Sequence, residues 1–218
     1  MSSTAAATEV FDFFGLAREL RDQIYDEMLS PVRSIFVRGS RWPAFLEVLA
    51  HGTPAMDLAL VSRQFREEYC ARSALAISVI IDDYLDPSDD TVRVQLPVLL
   101  SACTQLRINT PMTSYTLQRA LDGDEAYPTW IPHILRQMAS LQSCKIALRF
   151  YTYSNGGVDA AKRAFPGHCA AFSPLSEVTS VQLFTREDHT GYTNIGKPHM
   201  TWSRESGTLE EVCEEEAE

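Results

Sequence analysis

From Phe14 to Leu29 the apolar residues recur at helical spacing: Leu16, Leu20, Ile24 and Met28 fall four residues apart, and Tyr25 and Leu29 widen the stripe. Arg18, Glu19, Arg21, Asp22, Gln23 and Glu27 take the other positions, so the spacing predicts an amphipathic helix with one side to bury. Arg18 and Asp22 are placed to pair across one turn. Ser30-Pro31 stops the helix, because proline disfavours helical geometry in the residue before it. Further on, Ser34–Arg38 is strand-like, Trp42–Leu49 is an apolar patch, Leu60–Tyr69 reads as a second helix and Ala76–Asp82 as a strand.

Helical and strand patterns alternate in the rest of the chain. Val94–Ala102 is apolar and helix-compatible apart from Pro97, and Gln105–Asn109 alternates as a strand. Ile131, Ile134, Leu135, Met138 and Leu141 form a helical stripe with Pro128 and Pro132 in or before its first turn. Lys145–Tyr153 reads as a strand, Gly156-Gly157 as a turn, Val158–Phe165 as a short helix and Val178–Phe184 as a strand. Met200–Ser203 is expected to close the sheet at one edge. The fold class expected is α/β (α+β): helices packed on one mixed sheet. Leu100–Ile108, Leu141–Leu148 and Leu175–Leu183 look alike, each running from a helix-end leucine through a polar turn into an alternating strand. An irregular leucine-rich-repeat-like stack and ordinary βα units in one sheet both account for that pattern.

Leu16-Ala17-Arg18-Glu19-Leu20, with Ile24-Tyr25 and Met28-Leu29, resembles the LPxEL…IY…LL opening helix of the large fungal family of F-box-like proteins. Leu60-Val61-Ser62-Arg63-Gln64-Phe65-Arg66-Glu67-Glu68-Tyr69 resembles that family's second helix, of the type L-x-C/S-R-Q-x-R-x-E. Ala17 stands at the usual proline, and Ser30 to Asp57 lie between the helices, an insertion common in the family. The resemblance implies an adaptor that works by protein–protein contact, linking a client protein to a Skp/cullin ubiquitin ligase. It also implies partner-binding roles for Leu16, Glu19, Leu20, Ile24, Met28, Val61 and Phe65, with Leu16, Leu20, Ile24, Val61 and Phe65 at least partly exposed. The alternative is a stand-alone scaffolding or binding protein, homodimer included, whose helices are core and have no ubiquitin role.

With 218 residues, 45% of them hydrophobic, the chain can bury a full core. The organisation expected is a flexible leader (1–12), an F-box-like helical region with its insertion (13–75), an α/β region continuous with it (76–204) and an acidic tail (205–218). A net charge of −10, with 19 basic residues dispersed among 29 acidic ones, argues against nucleic acid and anionic membranes as partners. The first residues lack the basic and apolar regions of a secretory signal. Cys70, Cys103, Cys144, Cys169 and Cys213 are odd in number and unpaired in spacing, which points to reduced thiols and a cytoplasmic or nuclear location.

Catalytic chemistry is not legible. There is no Gly-rich phosphate loop and no nucleophile elbow. His168-Cys169 are chain neighbours and read as structural. Asp82, Asp83, Asp86, Asp89 and Asp90 cluster around Pro87 without the order of a calcium loop and read as a solvated acidic loop. His51, His133, His189 and His199 have no metal-ligand spacing. The expectation is a non-enzyme with no catalytic residue, metal or cofactor.

Overall fold

Alternating apolar side chains build one sheet and decide which of its faces is covered. In a computed structural model describing residues 11–30, 33–38, 45–85, 95–122, 128–151, 155–186 and 198–211, eight strands lie side by side in chain order. They are β1 (Arg33–Arg38), β2 (Phe45–His51), β3 (Ser78–Asp83), β4 (Gln105–Pro111), β5 (Ser143–Tyr151), β6 (Val178–Arg186), β7 (Met200–Ser203) and β8 (Leu209–Glu211). The four central strands, β3 to β6, are parallel. β1 and β2 flank them antiparallel on one side, β7 and β8 on the other.

The register aligns Ile81, Ile108, Ile146 and Val181 in one row across the parallel strands, and all four are buried. Helices cover that face: α4 (Trp130–Leu135) and α5 (Asn155–Phe172) bring Ile131, Ile134, Phe165 and Phe172 into the same cluster. The 3-10 turn Val98–Ala102 adds Leu100, and Leu117 of α3 (Ser114–Asp122) packs at its margin. The three look-alike stretches thus lie beside one another, each leading into one of β4, β5 and β6. The architecture is an α/β mixed sheet. Among the described residues no helix is long and apolar enough to cross a membrane.

Two further helices, α1 (Arg18–Glu27) and α2 (Arg63–Ala76), form a pair with an apolar cluster of its own. The chain is knotted to the sheet at one joint. Ser30 bridges Thr53 (N–H to carbonyl, 2.8 Å), and the Ser73 hydroxyl donates to the Gly52 carbonyl at 2.8 Å. Gly52 has φ +70°, and a Cβ there would stand 2.5 Å from the Ala76 carbonyl oxygen, so glycine is required.

Several elements depart from expectation. The apolar patch supplies β2: Leu46, Val48 and Ala50 face the core in alternation. The hairpin β1–β2 therefore belongs to the sheet, not to the helical region that surrounds it in sequence. Helix α5 runs past Phe165 to Phe172 with Pro166 inside it; the proline costs about 3 kcal/mol, offset by burial of Cys169 and Phe172 beyond it. Gly156-Gly157 lies in that helix's first turn. The stripe from Ile131 to Leu141 is helical only to Leu135, and Met138 is buried from a turn. Of Val94–Ala102, the described residues 95–102 yield only the short 3-10 turn, and α3 has no counterpart among the expected elements. Met200–Ser203 is not an edge, because Leu209–Glu211, expected in the tail, pairs outside it. Residues 1–10 of the expected leader, 212–218 of the tail, and Asp86, Pro87, Asp89, Asp90, His189 and Cys213 lie outside the described residues.

Candidate interaction surfaces

The helix pair is assembled around Tyr25. Asp12 caps the 3-10 turn Phe13–Gly15, its carboxylate accepting from the Gly15 N–H at 3.0 Å, and Ser62 caps α2 by accepting from the Phe65 N–H at 3.1 Å. These caps place Phe13 and Phe65 against Tyr25, with ring centroids 5.7 and 5.2 Å away, and Tyr69 completes the set at 5.7 Å. The Tyr69 hydroxyl donates to the Met28 carbonyl at 2.7 Å and accepts from the Ala55 N–H at 3.0 Å.

Charged groups seal the pair. Glu68 accepts from Arg21 Nε at 2.9 Å and from the Tyr25 hydroxyl at 3.2 Å, and Arg21 also donates to the carbonyls of Phe14 and Leu16. Burial pushes the Tyr25 phenol up to about 12, with the hydrogen bond to Glu68 adding to it. Burial also pushes the Glu68 carboxyl up, but hydrogen bonds from Arg21, Gln64 and Tyr25 outweigh it and hold the group below its ordinary range. Arg72 grips Asp26 with two bonds of 2.6 Å, which keeps that carboxyl low.

This packing splits the expected stripe. Tyr25 is fully buried and Met28 and Leu29 lean on the cluster, whereas Leu20 (48% exposed) and Ile24 (36%) point outward. Glu19 and Val61 are exposed and Leu16 is half-buried. Phe65 corrects an expectation: it is only 7% exposed, because it fills the space between Phe13, Tyr25 and Tyr69. Leu20, Ile24 and Glu19 thus share the outer side of α1, while Phe65 and Met28 hold α1 to α2. None of these residues joins the sheet core. Asp26, Arg72, Leu29, Gly52 and Leu75 line an open cleft of about 750 Å³ beside the joint.

A second surface lies on the sheet face opposite α4 and α5. Its register rows read Ile80, Arg107, Lys145, Ser180 and Asp82, Asn109, Ala147, Gln182. Asp82 ends the strand expected over Ala76–Asp82 and Asp83 extends it; both are buried in β3, which corrects their second reading as part of a solvated loop. Asp82 accepts from Arg149 Nη2 at 2.6 Å and from Asn109 Nδ2 at 2.9 Å. Asn109 in turn accepts from Arg107 Nε at 2.9 Å, and the Arg107 guanidinium stands 5.7 Å from the Phe184 ring centroid. Asp83 turns to the helix side, accepting from the Leu85 N–H at 2.9 Å and the Thr110 hydroxyl at 2.8 Å. Burial raises its carboxyl to about 6, against the pull of those two bonds. The legible signal is the alternation of Gln105, Arg107 and Asn109, and of Lys145 and Arg149 about Ala147, with apolar residues between them.

His168 and Cys169 are buried on α5, and burial pushes the Cys144 and Cys169 thiols up to about 12. Among the described residues no three His, Cys, Asp or Glu side chains gather to hold a metal ion.

Fold and surfaces together define a mixed α/β sheet carrying a two-helix unit, with an apolar display on the helices and a charged network on the sheet. The chain matches no family model, no curated protein and no solved structure.

Proposed function

We propose that the chain is a protein–protein interaction module of the F-box-like kind, in which α1 and α2 engage a Skp-type adaptor and the sheet presents a client. The observation that carries the reading is that the pair keeps its own buried cluster around Tyr25 while holding Leu20 and Ile24 out to solvent. Apolar side chains on a helix face that its own protein leaves uncovered suit a partner helix or groove. The resemblance of Leu16–Leu29 and Leu60–Tyr69 to the family's two helices supplies the partner's identity.

A second reading, a stand-alone binding protein, draws support from the hairpin β1–β2, which separates α1 from α2 in sequence and anchors both to the sheet. Co-purification of the full-length chain with a Skp-type adaptor separates the two. The adaptor reading expects a stoichiometric complex that the folded double variant Leu20→Asp/Ile24→Asp loses. Absence of a complex with the folded wild-type chain refutes it and leaves the stand-alone module.

A further inference from the structure

Arg107 and Arg149 lie on neighbouring strands of the same sheet face, and only Arg149 is paired with a carboxylate. Asp82 pairs with Arg149, whereas Arg107 has no carboxylate oxygen within 4.0 Å among the described residues, its Nε being held by the neutral Asn109 side chain. Arg149 Nε is buried and has no hydrogen-bond partner among the described residues. On this face Arg107, Arg149 and Lys145 stand against Asp82 and its register partner Glu47, which leaves one positive charge in a partly desolvated place. Arg107 is half-exposed and Lys145, next to it in register, is exposed, so the charge is reachable from solvent. Burial lowers the Arg107 pKa and the nearby Arg149 charge lowers it further, as expected for two cations held together without enough counter-charge.

We propose that Arg107 and Arg149 form a carboxylate-binding site on this face, taking one acidic side chain or C-terminal carboxylate of a partner polypeptide. Guanidinium groups match carboxylate geometry with paired donors. One carboxylate neutralises the residual charge, whereas a phosphate dianion would overshoot it beside Asp82. The whole chain carries −10, so a strongly acidic partner is repelled, and the fit is to a single carboxylate on an otherwise neutral or basic segment. The site deepens the interaction-module reading and rests on it for the polypeptide partner alone; its chemistry is tested without any adaptor, so the two readings fail separately.

The test is NMR of the ¹⁵N-labelled full-length chain, following arginine Nε–Hε and backbone signals of β4 and β5 during titration with sodium acetate, inorganic phosphate or sodium chloride at constant ionic strength. Acetate is expected to shift the Arg107 and Arg149 signals saturably with a Kd of about 1 mM. Arg107→Gln should weaken it about tenfold or more, and the distant surface control Arg63→Gln should leave it unchanged. If Arg107→Gln fails to fold, Arg107→Lys, which keeps the charge and loses the fork, should still weaken acetate several-fold. A response no different from chloride, an undiminished response in the folded Arg107 variant, or tighter binding of phosphate than of acetate would each overturn the assignment.

Discussion

Phe65 and Leu20 lie on the two candidate helices yet should respond in opposite ways to substitution. Phe65 is 7% exposed and contacts three aromatic rings at 5.2 to 5.7 Å. Truncating such a side chain removes its transfer free energy and the ring contacts and leaves a cavity, so Phe65→Ala should cost about 4 kcal/mol. Leu20 is half-exposed in the first turn of α1, where an acidic residue also meets the positive end of the helix dipole. Leu20→Asp should cost under about 1 kcal/mol. Because the two helices have their own cluster, the loss should be local. Hydrogen exchange read by mass spectrometry should show residues 18–27 and 63–76 losing protection in Phe65→Ala while β4 to β6 keep theirs. Equal protection losses in the two variants, or loss spread evenly through the sheet, would refute the separation of inner and outer helix faces.

Other consequences are as direct. Arg149→Met leaves Asp82 buried without its cation and should cost about 3 kcal/mol, with much of it recovered in Asp82→Leu/Arg149→Met; a double variant no more stable in urea than the single one would refute the pairing. Asp83 is raised to about 6 in the folded state against 3.8 in the unfolded chain, so the native protein binds the extra proton and stability falls as pH rises from about 4 to 6, then levels. Asp83→Asn should flatten that slope in denaturation curves at several pH values, and an unchanged slope counts against it. Gly52→Ala forces a Cβ toward the Ala76 carbonyl at φ +70° and should lower stability by more than about 1 kcal/mol, seen as a drop in Tm. Alkylation of the native protein followed by peptide mapping should mark exposed Cys70 while Cys103, Cys144 and Cys169 react only after unfolding.

The parts legible in the sequence are those where one periodicity ruled alone. The alternation in Gln105–Asn109, Lys145–Tyr153 and Val178–Phe184 marks strands because one sheet face packs on helices and the other carries polar groups. Helix α1 was legible as an element but not in its phase: a tyrosine at position 25 makes a better anchor between two helices than the smaller Ile24, and the helix turns to bury it. Helix α5 hid behind Pro166, since the burial that outweighs a proline is tertiary. The polar face is legible as alternation, but its charged network is not, because Asp82, Asn109 and Arg149 are far apart in the chain and meet only through parallel pairing. Asp82 looked like the start of an acidic loop when only its neighbours in sequence were in view.

The interposed hairpin has a consequence for how the molecule is made. Helix α1 leaves the ribosome ahead of its partners Phe65 and Tyr69, which follow only after the whole of β1 and β2. Closing that loop costs entropy that grows only slowly with its length, but until it closes, Tyr25 has no pocket and β2 has no β3 beside it. Helix α1 therefore waits without its partner until α2 has been made. During synthesis its apolar residues are available to a chaperone before they are available to each other.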